Sequence, residues 1–73
     1  MSEFKFEITE HMADIGEGSK GWVTELNLVS WNDREPKYDI RSWDPNHEKM
    51  GKGISLTKEE LANLKNALNQ VEL

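Results

Sequence analysis

The segment Trp31–Leu56 reads WNDREPKYDIRSWDPNHEKMGKGISL. Its centre, Lys37 to Trp43, alternates cleanly: Tyr38 and Ile40 point one way, and Lys37, Asp39, Arg41 and Trp43 the other. Period two over a run bounded by turn residues predicts a strand. Asn32-Asp33-Arg34-Glu35-Pro36 precedes it as a turn, and Asp44-Pro45-Asn46 follows it as another. A further strand runs from about Glu48 to Leu56, where Gly51 and Gly53 mark an edge, a bulge or a close backbone approach.

Upstream, Trp22 to Trp31 (WVTELNLVSW) is rich in β-branched and aromatic residues. Trp22, Leu26 and Leu28 share one side, and Glu25, Asn27 and Trp31 the other. Val23 and Val29 fall on the polar side, so a bulge is allowed for. A first strand starts at Phe4, where Phe6 and Ile8 keep its parity against Lys5, Glu7 and Thr9, and it runs to about Ile15. Gly16, Gly18, Ser19 and Gly21 turn the chain into the second strand. Downstream, Thr57-Lys58-Glu59-Glu60 is a capping box. Leu61, Leu64, Leu68 and Val71 then recur at spacings of three and four, the stripe of an amphipathic helix. The order is β-β-β-β-α, an α+β chain in which the helix covers the sheet, packs on a second copy, or does both.

At 73 residues this is one domain, 1–73. Chains of this size bury only about 60% of their unfolded surface, and small domains add staples to a marginal core. With no cysteine, disulfides and thiolate chemistry are excluded. His11 and His47 stand too far apart in sequence to read as a metal cluster, so neither metal nor cofactor is expected. Oligomerisation remains, with a two-fold homodimer as the default. No apolar run approaches the ~20 residues of a membrane span, which predicts a soluble, cytoplasmic chain compatible with nucleoid association.

The formal net charge of −5 hides a gradient. Residues 1–19 carry −4, residues 20–53 balance six cations against six anions, and the remainder adds −1. All three tryptophans lie in the neutral middle. Fields are screened within roughly 8 Å at physiological salt, so local charge governs binding.

Catalysis is not expected. The serines sit in no nucleophile elbow, and His11 beside Asp14, or His47 beside Glu48, reads as solvated polar residues rather than an acid–base pair. Gly51-Lys52-Gly53 falls short of a phosphate loop. Indoles interleaved with cations are instead the parts of a single-stranded nucleic-acid surface. On the third strand Lys37, Arg41 and Trp43 share a face, and Trp31 lies on the polar face of the second. Packing of either indole into a dimer interface is the competing explanation. Trp22 is better placed for the core. Lys20, Arg34, Lys49 and Lys52 lie in or near turns, where solvated charge is usual. Lys52 shares parity with Ile54 and Leu56.

Tyr38-Asp39-Ile40-Arg41-Ser42-Trp43, then Gly51-Lys52-Gly53-Ile54-Ser55-Leu56-Thr57 and a leucine-striped helix, resembles the transcriptional positive coactivator family of single-stranded DNA-binding proteins. Its bacterial YdbC-like branch carries words similar to VSWND, EPKYDIR and HEKMGKGI at similar spacing. The resemblance implies a curved four-stranded antiparallel sheet with one C-terminal helix, Whirly-like or coactivator-like, dimerising through Leu61, Leu64, Leu68 and Val71. It implies grooves that hold single-stranded DNA by stacking and backbone contacts. Arg41 and Trp43 match binding positions, Lys52 matches a basic residue of the last strand, and Lys37 and Arg34 correspond to a basic turn that is shorter here. The basic, serine-rich tail of eukaryotic relatives has no counterpart in the sequence.

The expected function is sequence-tolerant binding of single-stranded DNA, with single-stranded RNA as a weaker or comparable ligand, in DNA transactions or transcription regulation. The expected contacts are Lys5, Lys20, Trp31, Arg34, Lys37, Arg41, Trp43, Lys49 and Lys52. No membrane and no small-molecule substrate are expected. The alternative is a protein-interaction module that uses its tryptophans without binding nucleic acid.

Overall fold

Alternating strands and a capped helix assemble as an antiparallel meander. The computed structural model describes residues 4–73. Strands β1 (Phe6–Glu17), β2 (Val23–Trp31), β3 (Lys37–Trp43) and β4 (Met50–Leu56) are followed by helix α1 (Lys58–Leu68). They form one sheet in the order β1-β2-β3-β4, with every pair antiparallel. No helix among the described residues is long and apolar enough to cross a membrane.

The sheet is curved, and β1 shows why. Its register against β2 shifts between Ile8 and Glu10, His11 and Ala13, and Asp14 and Gly16. Each shift leaves one residue of β1 (Thr9, Met12, Ile15) without a partner, and each such bulge bends and twists its strand. The bulge allowed for in β2 thus lies across from it, since β2 and β3 pair without a shift. Phe6 faces Trp31 in register, and Trp43 faces Val23 at the far end of β2. Both indoles nevertheless lie against Phe6, at ring separations of 6.1 and 5.1 Å. A sheet curled toward this face brings them together.

Curling makes this inner face the dry one. Val29 and Trp43 are its buried apolar residues, and Glu25, Asn27 and Asp39 are buried with them. The side read as polar is therefore interior.

The outer face keeps the apolar stripe but lacks full cover. Leu26, Tyr38 and Ile40 face α1 across an open groove of about 550 Å³, lined also by Ile15, Leu61 and Leu64. Ile54, Leu64, Leu68 and Val71 are exposed. The capping box forms as read: Thr57 Oγ1 accepts from the Glu60 amide at 3.1 Å, and Glu60 Oε1 accepts from the Thr57 amide at 2.8 Å. Val71, placed on the helical stripe by its spacing, lies beyond the last turn, which closes at Asn69.

Candidate nucleic-acid interface

Trp31 ends β2 on the inner face, half-buried. Phe4 and Phe6 pack on it at 5.7 and 6.1 Å, and the Arg41 guanidinium lies 4.7 Å from its ring centroid. Stacking of this kind suits the planar, weakly hydrated guanidinium. Beside it, Phe4, Trp31, Arg41 and Ser55 line an open recess of about 260 Å³.

Arg41 is held from below. Its Nε and Nη2 donate to Asp39 Oδ1 and Oδ2 at 2.7 and 2.9 Å, a bidentate pair on a carboxylate that is 0% exposed. The Ser55 hydroxyl donates to Asp39 Oδ2 at 2.9 Å, tying β4 to the same anchor. Such a pair is rigid and carries no net charge, so Arg41 presents a fixed planar donor edge rather than a free cation. Gly53 makes this possible. A Cβ there would overlap Arg41 Cβ and approach Ile40 O to 2.5 Å.

Trp43 occupies a different place from the one its sequence position suggests. It is 1% exposed, with Phe6 at 5.1 Å and His47 at 5.8 Å, so its rings offer no open platform. The sheet's curl folds it beneath Phe6, where it supports the aromatic cluster. Neither the Trp31 nor the Trp43 indole N–H meets an acceptor among the described residues.

The lysines and Arg34 are distributed around this centre. Lys37 is exposed at the start of β3, with the inner-face parity of Asp39 and Arg41. Lys52 is exposed in β4, inside the register shift opposite Arg41 and Trp43, where parity no longer sets its side. Lys5 precedes β1, bonded through its backbone to Asn32, with Nζ 3.7 Å from Asp33 in an exposed pair. Arg34 closes the β2–β3 turn at that same end of the sheet. Lys20, at φ 59°, and Lys49 are exposed in the turns at the opposite end. The structure therefore joins Trp31, Arg41 and Trp43 in one cluster, with Lys37 on its face. Lys20, Arg34 and Lys49 stay on the margins.

Three contributors were not recognised as site residues in the sequence. Phe4 and Phe6 carried the signal of a buried strand face, and that face holds the aromatic cluster around Trp31. Asp39 was placed on the polar strand face without a role, although its position two residues before Arg41 on that face could have suggested the pair. His11, Glu25 and His47 meet only through the curl. His47 Nε2 donates to Glu25 Oε2 at 2.8 Å, Asn27 Nδ2 donates to Glu25 Oε1 at 2.9 Å, and His11 Nδ1 lies 2.7 Å from Asn27 Oδ1. Burial opposes ionisation of Glu25, but the hydrogen bonds from Asn27 and His47 outweigh it and hold the carboxyl below its ordinary value. The contact with Asn27 raises the His11 pKa, against the effect of burial and with the Glu25 and Asp14 carboxylates adding to it.

Two comparisons bear on this geometry. The model of the family Transcriptional Coactivator p15 (PC4) matches residues 19–67. The chain belongs to that family. An uncharacterized protein of Treponema pallidum (strain Nichols) is 42% identical over 71 residues, covering 97% of this chain and 84% of the relative. The family match takes in β2, β3, β4 and all but the last residue of α1, and so Trp31, Asp39, Arg41, Trp43 and Gly53. Strand β1, with Phe6 and His11, precedes it.

Proposed function

We propose that this p15-family chain is a homodimeric, sequence-tolerant binder of single-stranded DNA, with single-stranded RNA as a second ligand, and that it acts by binding rather than catalysis. The observation that carries this reading is the Arg41 guanidinium laid over Trp31 beside Phe4, at the edge of an open recess. Bases stack there on Trp31 and Phe4, while Trp43 and Phe6 stiffen the platform from below. The Arg41–Asp39 pair is neutral, so attraction for phosphates comes from Lys37 and Lys52, with Lys5, Lys20, Arg34 and Lys49 at the margins. Stacking and phosphate contacts do not read base edges, which is why sequence tolerance is expected.

Membership of a coactivator family supports the nucleic-acid reading, and the uncovered outer face supports the dimer. A second copy laid on α1 would bury Leu61, Leu64 and Leu68 and set two inner faces in one particle. Titrating a fluorescent oligothymidine tests the binding. Affinity should fall as salt rises, by a log–log slope of about −0.7 per phosphate neutralised, with quenching of tryptophan emission. Absence of binding even at low ionic strength would sink the reading and favour a protein partner for the tryptophans.

A further inference from the structure

Both ring nitrogens of His11 face oxygens that can only accept. Nε2 lies 3.0 Å from Asp14 Oδ1, and Nδ1 lies 2.7 Å from Asn27 Oδ1. The Asn27 amide cannot turn round, because its Nδ2 donates to Glu25 Oε1 at 2.9 Å and the flipped group would set oxygen against a carboxylate oxygen. A neutral imidazole carries one N–H and one lone pair, so it can serve only one of these two acceptors. The arrangement therefore belongs to the doubly protonated ring. Glu25 Oε1, 3.4 Å from Nδ1, sets a second anion beside it.

The two acceptors are not equivalent. Asn27 is buried and fixed by Glu25, whereas the Asp14 side chain is 67% exposed. Removing the Nδ1 proton would turn a lone pair against the buried Asn27 oxygen, so the proton lost is the one on Nε2. The neutral ring then keeps Asn27 and returns Asp14 to water. Nothing nearby replaces the lost charge. Asp14 and Glu25 are anionic, and Asp39, opposite Asn27 on β3, is closed by Arg41. From the β3–β4 turn, His47 Nε2 already donates to Glu25 Oε2, and Asp44 adds a further anion near His47.

We propose that His11 is a proton-dependent clasp on the face proposed to bind nucleic acid. As imidazolium it ties Asp14 of edge strand β1 to Asn27 of β2 and offsets part of the corner's negative charge. Once Nε2 loses its proton, Asp14 is released, the corner gains one negative charge, and single-stranded nucleic acid is held less tightly. The binding half of this inference rests on the proposed function; the clasp itself does not. The Asn27 contact raises the His11 pKa, against burial and with help from Glu25 and Asp14. A group raised in this way stabilises the folded chain fully below its unfolded value, about 6.5, and loses that contribution as pH rises through the folded one. The clasp is closed in mild acid and opens toward alkaline pH.

Nitrogen-15 spectra of the full chain without ligand should show both His11 ring nitrogens protonated at pH 6, and the Nδ1–H tautomer once the ring has titrated. A neutral His11 at pH 6, with a proton on Glu25 and Asn27 turned round, would overturn the clasp. Oligothymidine affinity at low salt should fall by roughly two- to fivefold between pH 6 and pH 9, the order expected for one charge about 10 Å from a phosphate. A flat affinity in the parent chain overturns the control of binding without any variant. His11→Gln removes a half-exposed titrating group from an edge strand, so the fold should persist by circular dichroism. The fall in affinity should then shrink, with His47 the remaining histidine, and the parent's melting temperature should drop relative to the variant's over the same range. Equal pH dependence of binding in the two folded chains overturns the control of binding as well. Absence of binding at every pH instead strikes the proposed function and the control with it, while the ring spectra still decide the clasp.

Discussion

Arg41 and Trp43 both hold the inner face together, Arg41 by its pair with buried Asp39 and Trp43 by its packing beneath Phe6. Removing the Arg41 side chain would leave Asp39 buried without its partner, and breaking a buried pair from one side costs about 3–5 kcal/mol. Arg41→Ala should therefore lower unfolding free energy by that order in urea titrations, as well as weakening DNA binding; an unchanged midpoint would show that Asp39 is served by other donors. Trp43→Ala empties a buried site, and losses for such truncations run to about 3–5 kcal/mol. Trp31→Ala should behave differently. Its indole is half-buried at the mouth of the recess, so the larger effect should be on oligothymidine affinity, roughly 1–3 kcal/mol per stacked base. Equal affinity for the Trp31→Ala and parent chains would move the stacking platform elsewhere.

Among the elements, β4 is an edge strand whose glycine is set by its neighbour. Gly53 pairs with Arg41, and a methyl group there meets both Arg41 Cβ and Ile40 O. Gly53→Ala should cost about 1–3 kcal/mol, the range for overpacking, and should displace Arg41 from Trp31, visible as a change in tryptophan emission. The β3–β4 turn has its own clasp. Asp44 Oδ1 accepts from the Glu48 and Lys49 amides at 2.7 and 2.8 Å. The Lys49 hydrogen bond, against burial and with help from Glu48, holds the Asp44 carboxyl below its ordinary value. A carboxyl lowered by folding stabilises the folded state above its unfolded pKa, about 3.9, and loses that contribution as pH falls through the folded value. Exchange of the Glu48 and Lys49 amides should therefore lose protection in acid below that range, and Asp44→Asn should remove the pH dependence.

For the whole molecule, the distribution of burial is the governing feature. The driest positions of the chain include Glu25, Asn27 and Asp39, while Ile54, Leu68 and Val71 face outward. Apolar area contributes about 25 cal/mol per Å² when it leaves water, so a second copy on the outer face has a direct driving force. Leu64→Lys should leave the chain folded at neutral pH and low ionic strength but shift the proposed dimer toward monomer in light scattering, and should make melting independent of concentration, as expected once association no longer adds to stability. A dimer of unchanged size would place the contact off α1.

Strand and helix positions were legible because they depend on neighbours in sequence. Parity put Lys37, Asp39, Arg41 and Trp43 on one face, Gly51 and Gly53 marked the edge strand, and the Thr57 box started the helix where its hydrogen bonds form. Which face is interior was not legible. Three bulges in β1 replace its period of two with a period of three, so alternation could not show that His11 and Asp14 face inward with Phe6. The same bulges curl the sheet, bury Trp43 beneath Phe6, and gather Glu25, His11 and His47 from three parts of the chain. Short-range backbone and capping chemistry thus decides the elements, whereas the curvature that makes a polar face into the core is a property of four paired strands and exists only once they are paired.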